Sequence, residues 1–451
     1  MQYKWSKFTL LQQYEGDIIM ANLKYFDVAL IKKNGRIHKD FLAKKLEFLS
    51  DTDIDFLVEH HFLINDNVDE ISECDFARNR SVFSDSTLDI TILPTDACNF
   101  RCVYCYEAAK NQHLSEENEA AIIRFIHKNA LKYRHVRLAW FGGEPLVRKE
   151  QVIRMTKKIN EICKNYGVLF SARMTTNAYE LDINTFNELI ANRVLAYQIC
   201  IDGNRVSHNR QRPHATRGDS YEVILNNIKE IVKHAKSNTF LISLRTNIAE
   251  ETQGYIEEYL HEIYDIIGDD KRFEIVFQGV RNWGGTRIGE NSVSLVENES
   301  KLYEKWYVKA AKIWLNSAEN LDLSIHSEMC AANFIEGYVI YPDCSVHKCT
   351  LAYYGKNERN FGHIGRIDSN GSLIIDNAKI MRWMIHDSKN EKCQNCALYC
   401  ICKGGACPYS SNIIGKPIYE SRHCSELYSL VISKIKCLYI KNMVEMYTEE
   451  A

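Results

Sequence analysis

Three cysteines on one short segment stand out as the residues best placed to do chemistry. Pro94-Thr95-Asp96-Ala97-Cys98-Asn99-Phe100-Arg101-Cys102-Val103-Tyr104-Cys105 presents thiols at the spacing CxxxCxxC. Three thiolates ligate three corners of a four-iron cluster and leave one iron open. That iron can chelate a small ligand through an amine and a carboxylate. Structural zinc, the alternative occupant, wants four closed ligands and usually a paired CxxC. A second segment, Phe141-Gly142-Gly143-Glu144-Pro145-Leu146, joins two glycines, which let backbone approach a ligand closely, to carbonyl groups and a carboxylate that accept hydrogen bonds from an ammonium. A third constellation comprises Cys330, Cys344 and Cys349, then Cys393, Cys396, Cys400, Cys402 and Cys407, then Cys424. Paired cysteines of this kind also suit a zinc ribbon.

Something must hold these segments in place. From Leu88 to about Leu315, β-rich runs (Leu88–Leu93, Val136–Trp140, Leu169–Thr175, Ala196–Ile201, Phe240–Asn247, Phe273–Gly279) alternate with helical stretches such as Glu116–Leu131, Ile183–Ala191 and Tyr221–His234. Six strand–helix units predict an α/β fold, a partial (βα)6 barrel, whose chemistry gathers at the C-terminal ends of its strands. The thiol loop follows the first of these runs and Gly-Gly-Glu-Pro the second. Residues 1–85 read as a small N-terminal α+β module, with strands at Gly16–Met20 and Phe26–Ile31 and helices around Phe41–Leu49 and Thr52–His60. The barrel is expected over 86–320, and a loop-rich, cysteine-rich domain over 321–451, ending in a helix from about Glu426 to Tyr447.

The chain has 451 residues, 45% hydrophobic and 25% charged, with a formal charge of −3, so it is an ordinary globular composition with no basic field to attract nucleic acid. No apolar run is long enough to span a bilayer, and the start is not a signal peptide. We expect a cytoplasmic protein whose sixteen cysteines stay reduced and serve metal or catalysis. Cys74, Cys163, Cys200 and Cys437 lie in apolar or regular segments and read as core residues.

The thiol loop resembles the signature of the radical S-adenosylmethionine (SAM) superfamily, CxxxCxΦC, with Tyr104 as the aromatic residue before the last cysteine. The resemblance implies that a reduced [4Fe–4S] cluster on Cys98, Cys102 and Cys105 cleaves SAM to methionine and a 5′-deoxyadenosyl radical, with Tyr104 beside the adenine. Gly142, Gly143, Glu144 and Pro145 match the family's GGEP element, which takes the methionine amine. Asn177, and Asp202 with Gly203, resemble positions near the SAM ribose and carboxylate. His208-Asn209-Arg210-Gln211-Arg212 resembles a His-Asp-x-x-Arg element, with Asn209 in place of the aspartate and Arg212 matching the arginine that would pair with the carboxylate.

The tail resembles the SPASM domain, which usually carries two auxiliary clusters. Two departures stand out: the family's CxxxC is stretched to Cys402-Lys403-Gly404-Gly405-Ala406-Cys407, and its glycine five residues before Cys349 is Cys344. On this pattern one auxiliary [4Fe–4S] cluster uses Cys330, Cys344, Cys349 and Cys407 and the other Cys393, Cys396, Cys402 and Cys424, with Cys400 left over. Three clusters in all are expected. SPASM enzymes mostly modify ribosomally made peptides, so the resemblance implies a maturase forming a thioether or carbon–carbon crosslink in a precursor peptide, served by a flavodoxin- or ferredoxin-like electron donor. The N-terminal module is vaguely similar to a winged-helix unit that binds leader peptides, which an open strand edge can do by β-augmentation. The other readings are an anaerobic sulfatase-type maturase that forms formylglycine, and a non-catalytic zinc or iron–sulfur protein.

Overall fold

The computed structural model describes residues 2–33, 46, 49–107, 111–282, 293–296, 299–317, 331–351, 362–384, 391–402, 422–442 and 445–446. Six parallel strands follow one another across a sheet: β6 (Thr87–Ile92), β7 (His135–Trp140), β8 (Leu169–Thr176), β9 (Val194–Cys200), β10 (Leu241–Ile248) and β11 (Phe273–Gly279). Their alternation explains their place. In β8 the residues Phe170, Ala172 and Met174 are buried in the main core, while Arg173 and Thr175 are half-buried and line a cavity of the barrel lumen. The connecting helices carry the matching apolar stripes and caps. Helix α5 (Ile183–Ala191) buries Phe186, Leu189 and Ile190, and its Asp182 carboxylate accepts the backbone N–H groups of Asn184 and Thr185, both at 3.0 Å.

Other elements before α5 are α1 (Asp51–Glu59), α2 (Glu70–Val82), α3 (Glu116–Asn129) and α4 (Lys149–Asn165). After it come α6 (Arg205–Gln211), α7 (Ser220–His234), α8 (Ile256–Ile267) and α9 (Glu299–Lys312).

The sheet does not stop at β6. Strand β12 (Gly337–Ile340) pairs with β6 in parallel, from Gly337 against Asp89 to Ile340 against Ile92. The antiparallel strands β13 (Ser345–His347), β14 (His363–Ile367) and β15 (Leu373–Ile375) then carry it to ten strands. The start of the cysteine-rich region therefore continues the barrel sheet rather than forming a body apart from it.

At the N-terminus β2 (Thr9–Tyr14), β3 (Asp17–Asn22) and β4 (Val28–Ile31) form an antiparallel sheet, while β1 (Tyr3–Trp5) pairs with β5 (Leu63–Asn65). The β4 edge is covered by β16 (Glu445–Met446) from the far end of the chain. Of the two outer edges, the described residues leave that of β2 without a strand partner. Most of the helix expected over Phe41–Leu49 lies outside the described residues. Helix α10 (Arg422–Ile440) packs Leu427, Val431 and Ile435 with Leu10, Ile19 and Leu30 of the N-terminal sheet. Both ends of the chain thus share one apolar cluster.

Candidate active site

The loop after β6 brings Cys98, Cys102 and Cys105 to the wall of one cavity of about 210 Å³ at the C-terminal end of the barrel strands. Its conformation is set by backbone bonds to the end of α6 and the segment just after it. Val103 N–H donates to the Gln211 carbonyl at 2.9 Å, and Arg101 N–H to that of Pro213 at 2.8 Å. Tyr104, Gly142, Gly143, Glu144, Asn177 and Arg212 line the same cavity, so the structure assembles in one place most of the residues expected around SAM. Pro145 lies behind them, buried at the start of a 3₁₀ turn, and Asp202 is fully buried but does not line the cavity.

The contacts revise several expected roles. The two glycines were expected to let a ligand approach; what approaches is the thiol loop. A Cβ at Gly142 would fall 2.3 Å from the Thr95 carbonyl oxygen, and one at Gly143 2.3 Å from that of Ala97. Between the segments, Gly143 N–H donates to Thr95 O at 3.2 Å and Glu144 N–H to Ala97 O at 3.0 Å. Glycine is needed because two loops touch.

The Glu144 carboxylate, expected against an ammonium, accepts three bonds from its own chain: Leu146 N–H at 2.9 Å, the Thr176 hydroxyl at 2.7 Å and Asn177 N–H at 2.6 Å. Burial outweighs these donors and lifts its pKa to about 7. Glu144 is thus first a clamp between the loops after β7 and β8. Asn177 extends the clamp, its amide donating to Asn99 of the thiol loop at 2.7 Å.

Tyr104, expected beside an adenine, also anchors the wall. Its hydroxyl donates to Asp202 and accepts from Arg212 at 2.6 Å and Asn247 at 3.1 Å. Asp202 in turn accepts the backbone N–H of Asn247 at 2.9 Å, and Arg212 lies 3.8 Å from it. This network joins the ends of β9 and β10 to the loops after β6 and α6. Asn247 was not anticipated, and neither was Cys200, which was read as core yet lines the cavity.

The donor set fits a cluster and SAM. Burial, with Cys102 and Glu144 next, pushes the Cys98 thiol well above its ordinary range, so three thiolates here call for a cationic occupant. Buried Asp96 Oδ2 and Arg212 Nε, both on residues of the cavity wall, have no partner among the described residues. Such groups suit a polar ligand.

A second cavity, of about 380 Å³, is lined by Cys393, Cys396, Cys402 and Cys424. Cys400 points elsewhere: it packs with Phe8, Cys74 and Tyr399, and its thiol contacts the Ala397 carbonyl at 3.7 Å. Of the other expected ligand set only Cys344 and Cys349 lie among the described residues. Cys344, at φ +61°, sits at the tip of the β12–β13 hairpin and donates its thiol to the Asn118 carbonyl of α3 at 3.7 Å. Cys349 lies beyond the far end of β13, across roughly 10 Å of strand, and faces a lumen cavity with Ala139, Arg173 and Gln198. The two thiols thus meet different surroundings, one the α3 backbone and the other the lumen. Cys330 and Cys407 lie outside the described residues. The left-handed backbone at Cys344 explains why the family pattern has glycine there. Among the remaining cysteines, Cys74, Cys163 and Cys437 are buried.

Residues 92–263 match the family model of the Radical SAM superfamily. The protein is a radical SAM enzyme, and SAM with a [4Fe–4S] cluster is its cofactor pair. A serine-type anaerobic sulfatase-maturating enzyme of Klebsiella aerogenes is 19% identical over 355 residues, 74% of this chain and 81% of that protein. Among solved structures, anSMEcpe with bound AdoMet and the Kp18Cys peptide superimposes with TM-score 0.55 at 16% identity, covering 79% of this chain and all of that one. Streptococcus suis SuiB bound to precursor peptide SuiA gives 0.50 at 15% identity, covering 92% and 97%. The fold is that of SPASM-containing radical SAM enzymes, with a cysteine-rich C-terminal region. No helix among the described residues is long and apolar enough to cross a membrane.

Proposed function

We propose that this protein is a peptide maturase that crosslinks side chains of a ribosomally made precursor peptide through a thioether or carbon–carbon bond. The observation that carries this reading is the second thiol-lined cavity, at Cys393, Cys396, Cys402 and Cys424, in the same chain as the SAM cavity. Joining a C–H to an S–H or another C–H removes two hydrogens from the peptide: one leaves as an atom, the other as a proton and an electron. When bound, the clusters supply the electron that cleaves SAM and take up the one the substrate gives back.

The chain's own residues do the rest. Glu144 and Asn177 clamp the loops of the wall, Tyr104, Asp202 and Arg212 brace its far side, and Phe141, Thr175 and Gln198 line both the SAM cavity and a lumen cavity of about 320 Å³ beneath it. That continuity offers a substrate side chain a way toward SAM. The N-terminal module, over about residues 1–85, would take the leader at the β2 edge, since β16 holds the β4 edge. We place the enzyme in the cytoplasm, where thiols stay reduced, with a flavodoxin or ferredoxin as electron donor. Two auxiliary clusters belong to this proposal. The second would draw on Cys330, Cys349 and Cys407, with Cys344 left out.

Similarity to the Klebsiella aerogenes enzyme favours a second reading, oxidation of Ser or Cys to formylglycine. The test is anaerobic reconstitution followed by mass spectrometry of the peptide encoded beside the gene. A crosslink appears as loss of two hydrogens with fragment ions missing between the joined residues, whereas formylglycine leaves the backbone fragments complete and reacts with hydrazides. Replacing Cys98, Cys102 and Cys105 together by Ala should abolish 5′-deoxyadenosine. Its persistence, or zinc as the sole metal in wild type, would overturn the reading.

A further inference from the structure

Three arginines line the SAM cavity, Arg212, Arg245 and Arg281. Arg281 pairs with Glu426 of α10, and Arg212 lies 3.8 Å from Asp202. Arg245 differs from both. It stands on the lumen face of β10, opposite Cys200 of β9 in register, and its Nε donates to Asn247 Oδ1 at 3.0 Å. Among the described residues no carboxylate comes within ion-pair distance of it, and the terminal nitrogens of its guanidinium make no hydrogen bond. Gln198, one step down β9 and paired with Thr175 and Ser243, has a side-chain amide equally without a partner among the described residues, and it lines both cavities.

A half-buried guanidinium without a counter-ion has lost part of its hydration, here with only the single bond to Asn247 in return. Its planar fork of donors matches one ligand chemistry above others, a carboxylate held by two parallel bonds. SAM brings a single carboxylate into this cavity. Arg212 is placed for it, with a buried Nε still unpartnered. A second carboxylate must then come from the other molecule in the cavity.

We propose that Arg245, with Gln198 beside it, is a carboxylate subsite that holds an acidic side chain of the peptide substrate and so sets where on the peptide the hydrogen is taken. This rests on the peptide-substrate reading above. Arg245 acts as a specificity-determining residue, and an Asp or Glu should lie close to the modified residue. The carboxylate has two possible sources, substrate and SAM, and the test separates them.

The anaerobically reconstituted holoenzyme, saturated with SAM, is titrated with acetylated and amidated tripeptides, Gly-Asp-Gly and Gly-Glu-Gly against Gly-Asn-Gly and Gly-Gln-Gly, with binding read by saturation-transfer NMR. SAM affinity is measured separately by equilibrium dialysis. Wild type should bind one of the acidic peptides at least about tenfold more tightly than its amide counterpart, the size of a charge-assisted pair. Arg245→Gln should remove that preference while the SAM dissociation constant stays within about threefold, and Arg245→Lys should restore part of it as a point charge. If Arg245→Gln weakens SAM more than tenfold and leaves the peptide preference intact, the carboxylate is SAM's and the substrate assignment is wrong. A wild type with no preference for acidic peptides, or a preference that survives Arg245→Gln, overturns the subsite altogether. Failure of wild type to make 5′-deoxyadenosine would strike the functional reading instead, since the binding measurement does not depend on turnover.

Discussion

Replacing Glu144 by Gln separates a clamp from a ligand contact. The carboxylate presents Oε1 to Leu146 N–H and the Thr176 hydroxyl, and Oε2 to Asn177 N–H. An amide has only one acceptor atom, so in either orientation its NH₂ faces a buried donor. The cheaper orientation turns the NH₂ toward Asn177 N–H, leaving one buried donor unpaired at about 1–3 kcal/mol and weakening the other two bonds by the difference between a charged and a neutral acceptor. The total is about 2–4 kcal/mol of stability lost without any SAM present. If the chain unfolds as a unit, at roughly 2.1 cal/mol/K per residue, that is a fall of about 2–4 °C in Tm. Because Glu144 and Asn177 both line the cavity, SAM should also bind more than tenfold weaker. The assay pairs anaerobic thermal unfolding of the cluster-loaded, SAM-free enzyme with equilibrium dialysis of SAM. A variant that unfolds within 1 °C of wild type, at any SAM affinity, would refute the clamp; weaker SAM binding with unchanged Tm would return Glu144 to a pure ligand contact.

Two further outcomes follow from the cysteines and from one histidine. Cys424→Ala should cost about four irons per chain, whereas Cys400→Ala and Cys344→Gly should keep full iron content, because the thiols of Cys400 and Cys344 are turned to the Ala397 and Asn118 carbonyls; iron loss from either variant refutes that placement. Burial, with His363 next, lowers the buried His347 from 6.5 to about 3. The folded state therefore resists a proton that the unfolded chain accepts, and stability present above pH 6.5 is lost as pH falls, by up to about 1.4 kcal/mol per unit. His347→Gln should flatten the Tm-against-pH curve between pH 6.5 and 5, and an unchanged slope would count against this reading.

What could be read from residues alone tracks how local the cause is. Helix α5 runs over Ile183–Ala191 as its apolar spacing predicts, because Asp182 caps it and its stripe is complete. Strand β11 likewise spans Phe273–Gly279. The position of Cys200 was legible in principle: it shares the parity of Gln198, opposite to buried Tyr197 and Ile199, which places it on the lumen side. A cysteine between isoleucines looks apolar, and that hides its place. The Gly-Gly-Glu-Pro segment announced a close approach, but the partner, carbonyls some 45 residues earlier, is a tertiary fact. The same holds for Asn247, which joins Tyr104 across 143 residues of sequence. Cys344 is a different case: a cysteine in a cysteine-rich pattern reads as a ligand, and only the fold shows the left-handed backbone there and the thiol's contact with the Asn118 carbonyl of α3.

The parallel pairing of β12 with β6 has a consequence for how the protein comes to exist. β6 is the first barrel strand to leave the ribosome, and its outer edge waits for a partner that lies about 245 residues further on; at roughly 5–20 residues per second, that edge stays open for about 12–50 s. Five of its six residues are buried in the finished fold, Leu88, Ile90 and Ile92 among them, so the waiting strand offers an apolar face and an open row of backbone donors and acceptors of the kind that recruits neighbouring chains. Truncations that end before Gly337 would leave it so permanently. The start of the cysteine-rich region is therefore a closing seam for the barrel, and shortened chains that stop before it should collect in inclusion bodies.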